Sequence, residues 1–189
     1  MSRHQNRQIV HPVLLFNKPY RVLSQFTSDN GQTTLADFID IKNVYAAGRL
    51  DFDSEGLLIL TSNGPLQARI SDPEHKTIKT YWAQVEGAPT EEDLEQLRTG
   101  VIITGGYHTQ PCQVTIIEEP HILWERYPPI RYRANIPTTW LEISISEGKN
   151  RQVRKMTAAI GHPTLRLIRY AVGKWTIDNL MPGQYRWPD

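Results

Sequence analysis

The chain has 189 residues, 39% of them apolar, and a formal net charge of +1. That length suits one medium domain or two closely packed subdomains with a real hydrophobic core, and the single cysteine, Cys112, excludes an internal disulfide and any zinc site of several thiolates. Near-balanced charge excludes overall basicity as a pointer to nucleic acid, no apolar run is long enough to span a bilayer, and the start MSRHQNRQIVHP lacks the apolar centre of a secretory signal; a cytoplasmic protein without membrane contact is expected.

In chain order, residues 1–11 are polar and aperiodic, which predicts a flexible N-terminal arm. Short strands are expected at 13–16 and 22–26 around the turn Asn17-Lys18-Pro19-Tyr20, then a brief helical turn over 34–38 and strands at 44–50 and 56–61. The unbroken apolar run Leu57-Leu58-Ile59-Leu60 predicts a central strand covered on both faces, and a short helix follows at 65–70. Ser71-Asp72-Pro73-Glu74 is the best internal boundary, dividing a subdomain at 12–73 from one at 74–189. Beyond it, 77–85 alternates as a strand, Thr90 caps a helix that Gly100 ends, and strands are expected at 101–104, 112–118 and 140–146. This is a mixed α+β pattern.

Residues 46–64, AAGRLDFDSEGLLILTSNG, carry the sharpest chemical signal. On a period-2 strand Arg49 and Asp51 share a face while Leu50 turns to the core, which makes Asp51 the candidate catalytic carboxylate. The same letters also read as a polar turn in which Gly56 supplies a permissive backbone and Asp53 or Ser54 bonds locally. For Asp53 and Glu55 the turn is the favoured reading; for Asp51 both stand.

The basic residues gather in the last third of the chain. Residues 148–161, GKNRQVRKMTAAIG, predict a helix capped by Asn150 and stopped by Gly161. At the helical period Arg151, Arg154, Lys155 and Ala158 share one face, and Val153, Met156, Thr157 and Ile160 the other, so one side is basic and one buries. With Lys149, the start of this helix suits a phosphate. The stretch 119–137 is too long for a hairpin and mixes Trp124, Tyr127 and Tyr132 with Arg126, Arg131 and Arg133. That mixture suits stacking on unpaired bases and neutralising phosphates; the competing reading is a solvent loop whose aromatics fold back on the domain. The six histidines are scattered without ligand spacing and no phosphate-loop, metalloprotease or nucleophile-elbow motif occurs, so neither metal nor cofactor is expected.

Four motifs in order, Asn17-Lys18-Pro19, Gly48-Arg49-Leu50-Asp51 with Ser54-Glu55-Gly56-Leu57-Leu58, Lys79-Thr80-Tyr81, and residues 147–156, resemble those of the rRNA pseudouridine synthases of the small-subunit/large-subunit class. The resemblance runs from Phe16 to near the end. It implies that family's catalytic fold, a mixed and largely antiparallel sheet flanked by helices, with the active-site cleft between two subdomains. It further implies that Asp51 is the catalytic aspartate, Arg154 its ion-pair partner, Tyr81 the ring that stacks on uracil, Arg49 a neighbour of the flipped nucleotide and Leu167 an apolar wall. Many relatives start with a small RNA-binding domain for which the residues before Pro12 are too few, so RNA affinity is expected from Lys149, Asn150, Arg151, Lys155 and the loop arginines. The implied partner is 23S rRNA, as a local stem-loop or an assembly intermediate, bound by a monomer.

The chemistry suits these residue types. Isomerising uridine needs a carboxylate that attacks C1′, adds to C6 or removes a ribose proton, and a guanidinium that offsets the cost of burying its charge. A glycosidase reading is disfavoured because Asp51, Asp53 and Glu55 crowd one turn instead of flanking a substrate. A non-catalytic RNA-binding or ribosome-assembly module is the remaining alternative.

Overall fold

In the computed structural model, which describes residues 13–189, strands from both ends of the sequence meet in one nine-stranded sheet. The first part supplies β1 (Leu14–Lys18), β2 (Tyr45–Ala47), β3 (Glu55–Thr61) and the helix α1 (Gly64–Ser71). The middle supplies β4 (Lys79–Glu86), α2 (Glu91–Thr99), the small ladder of β5 (Ile102–Ile103) with β6 (Tyr107–His108), and β7 (Gln113–Ile117). Then come β8 (Thr138–Ile145), α3 (Gln152–Ala159), β9 (Thr164–Val172), β10 (Trp175–Thr176) and β11 (Tyr185–Arg186). In space the order is β11-β1-β3-β9-β4-β8-β7, with β2 also on β3 and β10 on β9. Among the described residues only β3 and β9 run parallel, so the fold is α+β with a mixed, largely antiparallel sheet. The arm expected at 1–11, with Pro12, lies outside the described residues. No helix among the described residues is long and apolar enough to cross a membrane.

The apolar run of β3 is central, as its composition demands. Leu57 and Ile59 face a cluster with Trp82, Trp140 and Ile168, while Leu58 and Leu60 face Phe16, Leu35 and Leu50. Burying each such side chain contributes roughly 1.5–3 kcal/mol, which is why no polar residue interrupts the run. A third cluster fills the space under α2 and α3, where Leu94, Leu97, Val153, Met156 and Ile160 pack on Ala83, Leu141, Ile143 and Leu167 of the sheet. Thr90 starts α2 with a reciprocal cap, its hydroxyl accepting from Asp93 N at 3.2 Å while the Asp93 carboxylate accepts from Thr90 N at 2.8 Å.

Three local expectations change. Residues 22–26 form no strand; Leu23 N and Leu35 N donate instead to Thr33 O and Gln25 O, folding the segment on itself. The strand expected at 44–50 ends at Ala47, because Gly48 at φ +77 turns the chain out of the ladder, so Arg49 and Asp51 do not share the face of a strand. Asn150 caps nothing: α3 starts at Gln152, preceded by Arg151 in the left-handed region at φ 51, and the Gln152 side chain closes the turn by accepting from Lys149 N at 3.1 Å. Gly56, which the sequence placed both in a polar turn and at the start of the strand 56–61, lies in β3 at φ +106. A Cβ there would sit 2.4 Å from Arg169 O, so glycine is what lets β3 and β9 meet.

Candidate active site

The loop between β2 and β3 is held by its backbone. Each carbonyl from Arg49 to Asp53 has its own donor: Arg169 Nη1 for Arg49 at 3.4 Å, Ser24 Oγ for Leu50 at 2.7 Å, Ser54 N for Asp51 at 3.0 Å, Arg21 N for Phe52 at 2.8 Å and Arg154 Nη2 for Asp53 at 2.7 Å. Ser24 Oγ also accepts from Leu50 N at 3.1 Å, and Leu50 is buried. With the main chain satisfied by three elements, the Asp51 side chain is left to the cleft.

The cation beside Asp51 is Arg151, with Nη1 at 3.4 Å from Oδ2. Arg151 makes its better bonds to Asp53, a fork–fork pair with both N···O distances at 2.8 Å. That hydrogen bond, first, and the Arg154 and Arg151 charges hold the Asp53 carboxyl below the usual range against the opposing effect of burial. Arg154 is therefore not the ion-pair partner of Asp51. Its guanidinium is buried beneath the loop, donates to Asp53 O and lies 3.7 Å from Asp53 Oδ2. The approach of α3 decides this: Arg151 sits at the mouth just before the first turn, and Arg154, about one turn deeper, meets the main chain. Asp51 is also less buried than its motif suggests, its side chain being 36% exposed.

Asp51 opens into a cavity of about 560 Å³. Arg49, Lys149, Asn150 and Arg151 line its rim, and Tyr81 from β4 and Leu167 from β9 line its wall, so six of the expected site residues join Asp51 around one space. Tyr81 also packs against two core clusters, which fixes the ring. Glu147 holds the rim segment, accepting from the Tyr107 hydroxyl, from Gln110 N at 3.0 Å and from Gln152 Nε2 at 2.6 Å. Lys149 Nζ lies 4.7 Å from the centre of the Tyr107 ring.

The chain is similar to known proteins in sequence and in fold. Residues 12–159 match the family model described as RNA pseudouridylate synthase. The chain belongs to this family. It is 59% identical to a ribosomal large subunit pseudouridine synthase E of Vibrio parahaemolyticus, over 96% of this chain and 74% of that protein. It is 56% identical to a protein of the same name from Xanthomonas axonopodis pv. citri, over 90% of each. Among solved structures, a crystal structure of a pseudouridylate synthase aligns with a TM-score of 0.76 and 27% identity, covering 93% of this chain and 69% of that one. Membership makes the chain an isomerase that acts on RNA.

Other residues expected to meet RNA in this synthase are divided by the structure. Lys155 is half-buried on α3, away from the cavity. In the loop 119–137, Trp124 folds back and donates to Glu55 Oε1 at 2.8 Å, and Arg126 donates to Pro128 O and Leu165 O while lying 4.2 Å from the centre of the Tyr20 ring. Arg133 pairs with Glu86 at 3.1 Å. Tyr127 and Tyr132, 90% and 85% exposed, and the exposed Arg131 are the outward part. One half of the loop is thus a mooring and the other a surface.

The structural roles of five charged residues of this synthase escaped sequence reasoning. Glu55, 1% exposed, forms a fork–fork pair with Arg166 at 2.9 Å on both bonds. Lys18 is wholly buried; burial, opposed mainly by Glu55, lowers its ammonium to about 7, and Nζ donates to Pro19 O at 2.9 Å and Val22 O at 2.8 Å. Lys79 and Arg169 line the cavity. The signal available was the charge itself, set among apolar strand residues. Cys112 behaves as a packing residue: burial pushes its thiol up to about 11, and Sγ donates to Leu97 O at 3.1 Å.

Proposed function

We propose that the chain isomerises a uridine of large-subunit rRNA to pseudouridine, with Asp51 as the reacting carboxylate. The observation that supports this best is the clamped loop: five consecutive carbonyls are held, and one partly exposed carboxylate is left at the mouth of a cavity of about 560 Å³. Such a volume lies in the range that encloses a small ligand. In the reaction the C1′–N1 bond breaks, the base turns, C1′ bonds to C5, and the C5 proton is lost while N1 gains one. Asp51 serves by attack at C1′, addition at C6 or removal of a ribose proton.

The remaining residues take positioning roles. Tyr81 stacks on a base that has left its helix, and Leu167 walls the same space. Arg154 holds the main chain of the reacting loop and Arg151 shares its charge between Asp53 and Asp51. Arg49, Lys149, Asn150 and Arg151 meet phosphates near the cleft, with Lys155, Arg131 and the exposed tyrosines farther out and the moored Arg126 and Arg133 holding them in place. The parts 12–73 and 74–189 each contribute one side of the cleft. The substrate follows from the names of the relatives; a monomer acting in the cytoplasm on a local stem-loop or an assembly intermediate fits it.

The test is tritium release. Large-subunit rRNA fragments labelled at uridine C5 should lose tritium with the wild-type protein and not with Asp51→Asn, which should still bind RNA. Residual turnover of even about 1% in Asp51→Asn would remove Asp51 from the reaction. Binding without release by the wild type would favour the non-catalytic module.

A further inference from the structure

Among the described residues, two cations in the cavity wall have no carboxylate to answer them. Lys79, at the start of β4, is 9% exposed and its ammonium makes no hydrogen bond or ion pair among the described residues. Arg169, on β9, is 4% exposed; Nε donates to Leu57 O at 2.8 Å, Nη1 to Arg49 O at 3.4 Å, and the buried Nη2 has no partner. The strands are neighbours, Tyr81 lies opposite Arg169 in their register, and Lys79 is two residues from Tyr81 along β4. Burial, and after it the Arg169 charge, holds the Lys79 ammonium below the usual lysine range.

The buried Arg166 and the cleft-facing Arg151 contrast with this pair, since Arg166 is answered by Glu55 and Arg151 by Asp53. Two like charges withdrawn from water without a counter-ion are costly, and a single anion between them would offset both. A uracil carbonyl carries too little charge to do so, whereas phosphate oxygens match an ammonium and one free edge of a guanidinium. We propose that Lys79 and Arg169 form a phosphate subsite for a phosphodiester flanking the target uridine, beside the base-facing Tyr81. The subsite rests on the RNA-isomerising reading above. It also has a mechanical link to Asp51, because the Arg169 guanidinium that receives the phosphate holds the Arg49 carbonyl two residues earlier.

The experiment uses the full chain and an rRNA fragment whose uridine releases tritium in the test above, made with a methylphosphonate at the linkage 5′ or 3′ to that uridine. Dissociation constants and tritium release are measured for wild type, Lys79→Met and Lys79→Arg, with thermal melts to establish folding. One neutral linkage should weaken wild-type binding by about tenfold, Lys79→Met should weaken binding of natural RNA by a similar factor, and the two together should cost little more than either. Lys79→Arg should retain most of the affinity. Additive losses, or wild type indifferent to both neutral linkages, would overturn the subsite even when natural RNA is isomerised. Binding that follows the expected cycle, with tritium still released by Asp51→Asn, would instead remove Asp51 from the reaction and keep the phosphate site.

Discussion

Asp53 and Glu55 stand two residues apart in one motif, and each grips an arginine through a fork–fork pair, yet the two pairs differ in kind. Glu55 and Arg166 are 1% and 7% exposed at the side chain, deep between β3, β9 and the moored Trp124. Asp53 and Arg151 are 35% and 40% exposed at the mouth of the cleft. The buried pair joins β3 to the long loop through Trp124 Nε1 and Trp124 O, each bonded to one of its members. The open pair joins the reacting loop to the start of α3 and keeps a cation within reach of Asp51. Burial, not bond geometry, makes one a strut and the other an exchangeable contact.

The largest effect should come from breaking the strut. Arg166→Met leaves the Glu55 carboxylate buried without its partner and removes a donor from Trp124 O, so urea denaturation should show a loss of about 3–5 kcal/mol. Proteolysis within 119–137 should accelerate, because the mooring goes with it. A loss below about 1 kcal/mol would place the buried pair in the same class as the open one.

Arg154 tests the ground between them, being buried yet bonded to main chain as well as near a carboxylate. Arg154→Ala should lower kcat by roughly tenfold to a hundredfold through misplacement of Asp51, with RNA affinity changed far less. Arg154→Lys should recover part of the rate, as one donor can still reach Asp53 O. If Arg154→Ala instead weakened RNA binding and left kcat intact, Arg154 would be a substrate contact and not a support of the loop.

What the sequence revealed follows from the range of each interaction. Leu57–Leu60, the Thr90 cap and the two faces of α3 were legible because the periodicity and capping that produce them act within a few residues. Glu55 was read as a turn residue because its neighbours are polar; its partner Arg166 lies 111 positions away, and no local pattern connects them. Helical spacing put Arg151 and Arg154 on one face but not at a depth, and depth depends on where the preceding left-handed residue starts the helix. Lys79 and Arg169 become neighbours only through the register of β4 on β9. The motifs identified Asp51 and Tyr81 as candidates; the pairing of cations around them belongs to tertiary structure.

The smallest effect should come from the open pair. Arg151 holds the Asp53 carboxyl below the usual range, so the contribution to stability is present above ordinary carboxylate values and is lost as pH falls through the lowered one. With both side chains more than a third exposed, water and salt screen the attraction and the whole contribution should stay under about 1 kcal/mol. Denaturation of wild type and Asp53→Asn at neutral pH should differ by no more than that, and the difference should shrink at high salt and disappear as pH falls through the lowered Asp53 value. Turnover should respond more than stability, because releasing Arg151 from Asp53 changes the cation that Asp51 and an incoming phosphate share. A stability loss as large as that of Arg166→Met, persisting in acid and in salt, would show that the rim pair is a strut too and that exposure does not separate them.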